Sequence, residues 1–384
     1  MSSRVLVLGA GFGGLEIAAS LSEEFGESLD LVLIDQGPGF IFGFSKLDVM
    51  MGRVPAERVL HPFDLIAKPG VTFVPASITA IDPAARTVTT TAGEFSGDIV
   101  VIALGADLDP AATPGLQAGG HEFYTPDGAF AAGEALAQFG GGSVVVGVTS
   151  TPFKCPPAPS ETALLVHDLL VSRGLREDST VGLVMPFPVP IPPSPAASTA
   201  LLAAFDQRGI EWLPDRLVTS LDPDERIARC SDGSDVPYDL FLGVPVHRVP
   251  AVVEESGLAV DGWIPVDPLT LETRFANVYA VGDCTSVGTP KAGVFAEGQG
   301  AVVAQRIIDR ASGGHEPSVE YDGHGLCYLE FGAGEVAAVD VTFMTGQRPT
   351  GDLFGPSVAY ADDKVDFGAS RIARWFGVEW TPHR

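Results

Sequence analysis

The run RVLVLGAGFGG at residues 4–14 constrains this chain more than any other stretch. An apolar segment short enough for a buried strand meets glycines at Gly9, Gly11 and Gly14. The helix-period segment LEIAASLSEEF follows, and then a second apolar run, LDLVLID at 29–35. This reads as a strand–helix–strand unit in which each glycine has a task. Gly9 makes the turn, Gly11 leaves room for a pyrophosphate against bare backbone, and Gly14 lets helix and strand pack closely. Phe12 and Gly13 complete the turn, and the helix N-terminus turns its N–H groups toward the phosphates. Asp35 lies 21 residues past Gly14, at the tip of the second strand, where a carboxylate can bond ribose hydroxyls. The spacing predicts a dinucleotide-binding unit.

Residues 71–110 read as short strands with a hairpin, ending in the buried run DIVVIALGA. Ser77, Ile78, Ala103 and Gly105 in this region are further candidates for holding the dinucleotide. A second α/β unit opens with GGGSVVVG at 140–147, but its phosphate loop is missing. Gly147 is followed by Val148, Thr149, Ser150, Thr151 and Pro152. Side chains replace the later glycines and would block a pyrophosphate, and Pro152 removes an N–H donor. A nicotinamide dinucleotide is therefore disfavoured here. The proline-rich stretch within 179–195 fits a stiff connector or a contact surface. From about residue 316 the pattern alternates as in sheet.

With 384 residues the chain suggests two or three domains. The fold class expected is α/β: two Rossmann-like dinucleotide-binding-type domains plus a small C-terminal α+β domain. The first would comprise 1–110 and 241–315, the second 111–240, and the last 316–384. The net charge of −26 argues against nucleic acid as a partner. No apolar run is long enough to span a bilayer, and no signal peptide precedes the first strand, so a cytoplasmic location is expected. The four cysteines, Cys155, Cys230, Cys284 and Cys327, form no CxxC and no zinc-type Cys/His spacing, so no metal site is expected.

The run VYAVGDCTSVGTPKAGVFAEGQGAVVAQRI at 278–307 resembles the second flavin signature of flavoproteins built from two dinucleotide folds. The resemblance implies FAD as cofactor, with Gly282 and Asp283 at its ribityl and pyrophosphate region. It places the following helix, and Lys291 with it, near the flavin edge that becomes negative on reduction. A second run, PFKCPPAPSETALLVHDLL, resembles the corresponding segment of sulfide:quinone oxidoreductases and of the flavoprotein subunit of flavocytochrome c sulfide dehydrogenase. That resemblance implies a redox disulfide between Cys155 and Cys327 over the flavin, with Glu161 nearby. It also implies a sulfur species as electron donor and a quinone or small redox protein as acceptor. The third cysteine of many quinone-linked members has no counterpart in 106–150, and no CxxCH haem site is present. Two other readings stand beside this one: a type II NADH:quinone oxidoreductase and a non-catalytic FAD-binding electron-transfer subunit.

Cys230 reads as a packing residue, and so does Cys284, although its place after Asp283 leaves a position near the flavin open. His167 reads as a packing or surface residue, and His324, three before Cys327, as an exposed loop residue or one near the disulfide. His247 sits at a strand end, where a site role is open. In DFGASRIARWFGVEW at 366–380, Ala369, Ile372, Phe376 and Trp380 share one helical face. That face fits either packing on the core or peripheral contact with the inner membrane face.

Overall fold

The computed structural model describes residues 3–314 and 317–381. A five-stranded parallel sheet runs in the order Val278–Ala280, Ile99–Ile102, Arg4–Leu8, Asp30–Asp35, Val71–Pro75. Its strands are continuous apolar runs because both faces are covered. Val5, Val7, Leu31 and Leu33 pack under the helices Phe12–Phe25 and Gly293–Ala311, while Leu6, Leu8, Val32 and Ile34 meet the opposite layer. The Gly9 backbone is left-handed, with φ +102°. A Cβ on Gly14 would lie 1.9 Å from the Gly9 carbonyl oxygen, and one on Gly300 would lie 2.7 Å from the Gly13 carbonyl oxygen. These contacts draw strand and both helices together at the mouth of the sheet.

The second parallel sheet runs His121–Glu122, Leu240–Val244, Gly142–Val148, Ser179–Val184, Ile210–Leu213. The boundary expected between 240 and 241 cuts through the strand Leu240–Val244. That strand pairs with Gly142–Val148, so the second unit extends through residue 244. Its apolar run looks the same from sequence whichever sheet takes it. The proline-rich stretch is tied back to the helix Pro195–Arg208 that follows it. Ile191 is buried, and the Ser198 hydroxyl bonds both the N–H and the carbonyl of Ile191.

The C-terminal part is a three-stranded antiparallel sheet, His324–Gly332, Glu335–Thr342 and Thr350–Ser357, followed by the helix Ala359–Phe376. The boundary expected at 315/316 lies outside the described residues. Of the two alternatives for 366–380, the final helix takes packing on the core. Its apolar side chains Ile372, Trp375 and Phe376 are buried in the core of the first unit, and Trp375 Nε1–H donates to Glu16. Arg374 is bound by Glu16 and Glu23, and Arg371 by Glu297. Gly377 ends the helix at φ +73°, so Trp380 leaves its face and instead stacks on Phe42. The helical face offered for a membrane is used in packing. Among the described residues, no helix is long and apolar enough to cross a membrane.

Candidate active site

One cavity of about 570 Å³ lies where the first sheet, the second unit and the C-terminal sheet meet. Gly11, Phe12 and Gly13 form part of its wall with Asp35, Ala103, Gly105, Gly282 and Asp283. Asp35 accepts the N–H of Ala10 at 2.8 Å and that of Gly37 at 2.7 Å, which fixes the carboxylate at the strand tip. Nothing stands within 4 Å of a Cβ added to Gly11 or Gly105, so both leave open space at the wall. The helix Gly293–Ala311 presents its first residues, Gly293, Val294 and Ala296, to the same cavity.

Asp283 supplies the test of what this part of the wall can hold. Its carboxylate makes no hydrogen bond to a described residue, and burial raises it from the usual carboxylate range while Lys154, Lys291 and Lys46 pull it down. A half-buried acceptor on the cavity wall without a protein donor fits a ligand bearing hydroxyl groups. With two bare glycine surfaces and a helix N-terminus, this wall fits the ribityl chain and pyrophosphate of FAD.

Cys155, Glu161 and Cys327 line the same cavity. Cys155 is held at φ +51°, a conformation that costs a non-glycine residue about 1 kcal/mol. Two bonds pin it there: its N–H donates to the Lys291 carbonyl at 2.7 Å, and its carbonyl accepts the N–H of Ala158 at 2.9 Å. It stands just before the helix Ala158–Ser172. Cys327 arrives on the strand His324–Gly332, which packs on that helix. Glu161, in the first helical turn, accepts the N–H of Glu330 at 2.9 Å and so ties the two elements together.

Both sulfurs are unbonded thiols. Cys155 opens onto the cavity, yet the walls around it desolvate the thiol. Burial, Glu161 and Cys327 raise its pKa, and Lys46 opposes the rise. Burial and Glu161 push Cys327 up to about 12. Glu161 is pushed up to about 7 by burial, against the pull of the Lys364 ammonium. A carboxyl that titrates near neutrality beside two thiols can take or give a proton.

Residues 3–306 match the family model described as pyridine nucleotide-disulphide oxidoreductase. The chain belongs to that family. It is an FAD-dependent oxidoreductase. The mitochondrial sulfide:quinone oxidoreductase of Dictyostelium discoideum is 26% identical over 85% of this chain and 74% of its own length. The mouse mitochondrial protein of the same name is 23% identical over 88% and 78%. The X-ray structure of the sulfide:quinone oxidoreductase of Aquifex aeolicus superposes with a TM-score of 0.84, covering 98% of this chain and 92% of that one at 22% identity.

Five residues expected at the cofactor, Gly9, Gly14, Ser77, Ile78 and Lys291, lie off the cavity wall of this oxidoreductase. Lys291 turns away from it. Its ammonium donates to the carbonyls of Asp283 and Thr285 and lies 3.3 Å from the Trp263 ring centre, so it braces the turn that carries Asp283. Ser77 bonds Gln36 through its hydroxyl, and Ile78 begins the neighbouring hairpin. Gly9 and Gly14 act one layer behind the wall, in the packing described above. Cys230 and Cys284 are buried packing residues. His324 pairs with Asp340 in the open, and His167 contacts Asp168.

The oxidoreductase also brings Lys46, Tyr124 and Lys154 to the wall, three residues not singled out from the sequence. Scarcity is the signal that points to the lysines. The chain has only five: Lys46, Lys68, Lys154, Lys291 and Lys364. Two line the cavity, one braces Asp283, and one pairs with Glu330 beside Glu161.

Proposed function

We propose that the chain oxidises sulfide, or a closely related sulfur species, through Cys155 and Cys327, and that the electrons leave through FAD to a quinone or small redox protein. The observation that carries this reading is a single cavity wall holding both cysteines, Glu161 and the FAD cradle of Gly11, Gly282 and Asp283. The sulfide:quinone oxidoreductase relatives support the choice of donor.

In this scheme the oxidised pair is a disulfide. Hydrosulfide attacks the sulfur of Cys155, the more exposed of the two. One S–S bond forms, the old one breaks, and a Cys155 persulfide stands beside a Cys327 thiolate. A second hydrosulfide takes the outer sulfur as HSS⁻ and leaves Cys155 as a thiol. Reforming the disulfide then releases one proton and two electrons. FAD, when bound, accepts that electron pair. Glu161 receives the proton from the thiol, a step its ionisation near neutrality permits.

The second unit argues against NADH as donor. The Thr149 N–H and hydroxyl both donate to the Val244 carbonyl, at 3.1 and 2.9 Å, so they are not free for a phosphate. Anaerobic mixing of the oxidised flavoprotein with sulfide should bleach the flavin band within seconds, and the same concentration of NADH should leave it unchanged. Bleaching by NADH with no response to sulfide would overturn the proposal.

Glu161 should leave a mark on the pH profile of that reaction. Its pKa is raised from 4.5 to about 7, so the carboxyl is protonated below that pH and able to accept a proton above it. The rate of flavin reduction should rise through a step near pH 7 in the wild type. Sulfide itself ionises near neutrality, so each rate is divided by the hydrosulfide fraction at that pH; Glu161→Gln should then remove the step that remains in the wild type. A step that persists in Glu161→Gln would clear Glu161 of the role.

A further inference from the structure

The wall near Cys155 carries a charge pattern that the redox scheme leaves unused. In a chain of net charge −26, Lys46 and Lys154 are the only cationic side chains among the described residues lining the cavity. They come from different parts of the fold, Lys46 from the helix Gly43–Met50 and Lys154 from the loop position before Cys155. Neither is consumed by an ion pair with a described residue. The Lys46 ammonium bonds the Tyr124 carbonyl, and that of Lys154 makes one long bond, 3.4 Å, to the Ala106 carbonyl. Each ammonium therefore keeps N–H groups without a protein acceptor. The two repel one another, and burial with that repulsion brings Lys46 down to about 8. A protein that holds two unpaired cations together in a recess has arranged an attraction for anions.

A second observation points to the same corner. Tyr124 lines the cavity and is 5% exposed, and its hydroxyl is buried with no hydrogen-bond partner. The hydroxyl is within electrostatic reach of Cys155 and Glu161. Its ring stands edge-on to His247, 5.4 Å between centres, and His247 Nε2 is likewise buried without a partner. Four carboxylates also line the cavity, Asp35, Asp107, Glu161 and Asp283. Asp107 and Asp283 both feel Lys154, and Asp283 feels Lys46 as well, without an ion pair to either ammonium.

We infer that Lys46 and Lys154, with the Tyr124 hydroxyl as a further donor, form a subsite for a small anionic sulfur nucleophile and hold it against Cys155. This deepens the proposed function, on whose choice of sulfur donor it rests for the ligand, and it sets a selection rule: hydrosulfide is drawn in, and neutral thiols of similar size are not. Lys46 and Lys154 act on binding and delivery, not on electron transfer.

The test separates the subsite from the reaction. In the reduced holoenzyme, Cys155 is alkylated with anionic iodoacetate or neutral iodoacetamide, and the two rates are read at that residue by mass spectrometry. Their ratio cancels the thiolate fraction. At low salt the iodoacetate:iodoacetamide ratio at Cys155 should exceed that of 2-mercaptoethanol about tenfold, and added salt should erase the excess. Lys154→Met and Lys46→Met should each lower the ratio, and the double variant should return it to the 2-mercaptoethanol value. Lys154 is on a partly exposed loop, so its variant keeps the test open if Lys46→Met misfolds. A wild-type ratio no higher than that of 2-mercaptoethanol, or a ratio unchanged in both variants, would overturn the subsite. With sulfide, Lys154→Met should raise KM about tenfold with kcat nearly unchanged, and an unchanged KM would overturn delivery of hydrosulfide. A wild type that shows the alkylation preference but no bleaching by sulfide would keep the subsite and sink the sulfide reading.

Discussion

Cys155→Ser should keep its FAD and lose at least about 1,000-fold in the rate of flavin reduction by sulfide. Serine cannot form the disulfide that hydrosulfide attacks, and its hydroxyl is a far weaker leaving group and nucleophile. The cofactor should stay because none of the contacts at Gly11, Asp35 or Asp283 involves Cys155. Folding should hold as well. Cys155 is fixed through its backbone N–H and carbonyl, which serine retains. Cys327→Ser should lose a similar factor, because either substitution removes the pair. Anaerobic stopped-flow absorbance of the variants, with FAD content measured in parallel, reads both effects. A variant that bleaches as fast as wild type would show that the electrons do not pass through these sulfurs.

Gly14→Ala should strike the other half of the site. The added Cβ would sit 1.9 Å from the Gly9 carbonyl oxygen, a backbone atom held in the turn between strand and helix. The helix Phe12–Phe25 must then move off the strand Arg4–Leu8, and it carries Phe12 and Gly13 out of the cavity wall with it. The cost should be about 3 kcal/mol or more of stability, with FAD lost on gel filtration. Gly11→Ala is the contrasting variant. Its Cβ meets nothing within 4 Å in the protein, so the fold should stand while the space for pyrophosphate narrows. Denaturant titration and the flavin:protein absorbance ratio separate the two. Equal stability of Gly14→Ala and wild type would contradict this account of the turn.

The cofactor half is legible in the sequence because backbone geometry dictates it. Where a chain must turn sharply, touch a helix and leave room for phosphates, glycine spacing leaves few alternatives, and Gly9, Gly11, Gly14, Asp35, Gly282 and Asp283 all stand at or behind one wall. The sulfur half is legible through resemblance, since Cys155 and Cys327 are 172 residues apart and nothing local brings them together. What does bring them together is the strand His324–Gly332 packing on the helix Ala158–Ser172, with Glu161 bonded to the Glu330 N–H. Lys291 misleads for a physical reason. Its place in the chain is beside the flavin signature, but a long side chain can turn either way, and two carbonyls with the face of Trp263 attract it more than the cavity does. Lys46 is hidden for the converse reason, because a single lysine in a short helix has no pattern until the fold sets it beside Lys154. The helix within 366–380 shows the limit of periodicity, which finds an apolar face without saying what covers it.

The cysteine pair is tested most directly by mapping its bond. The oxidised holoenzyme is alkylated in acid, digested without reductant, and searched for a cross-linked peptide. The account predicts a Cys155–Cys327 disulfide in the oxidised protein, its loss under anaerobic conditions with excess sulfide, and its return when an electron acceptor is added. Cys155 and Cys327 both found alkylated in the oxidised, fully active enzyme would contradict it.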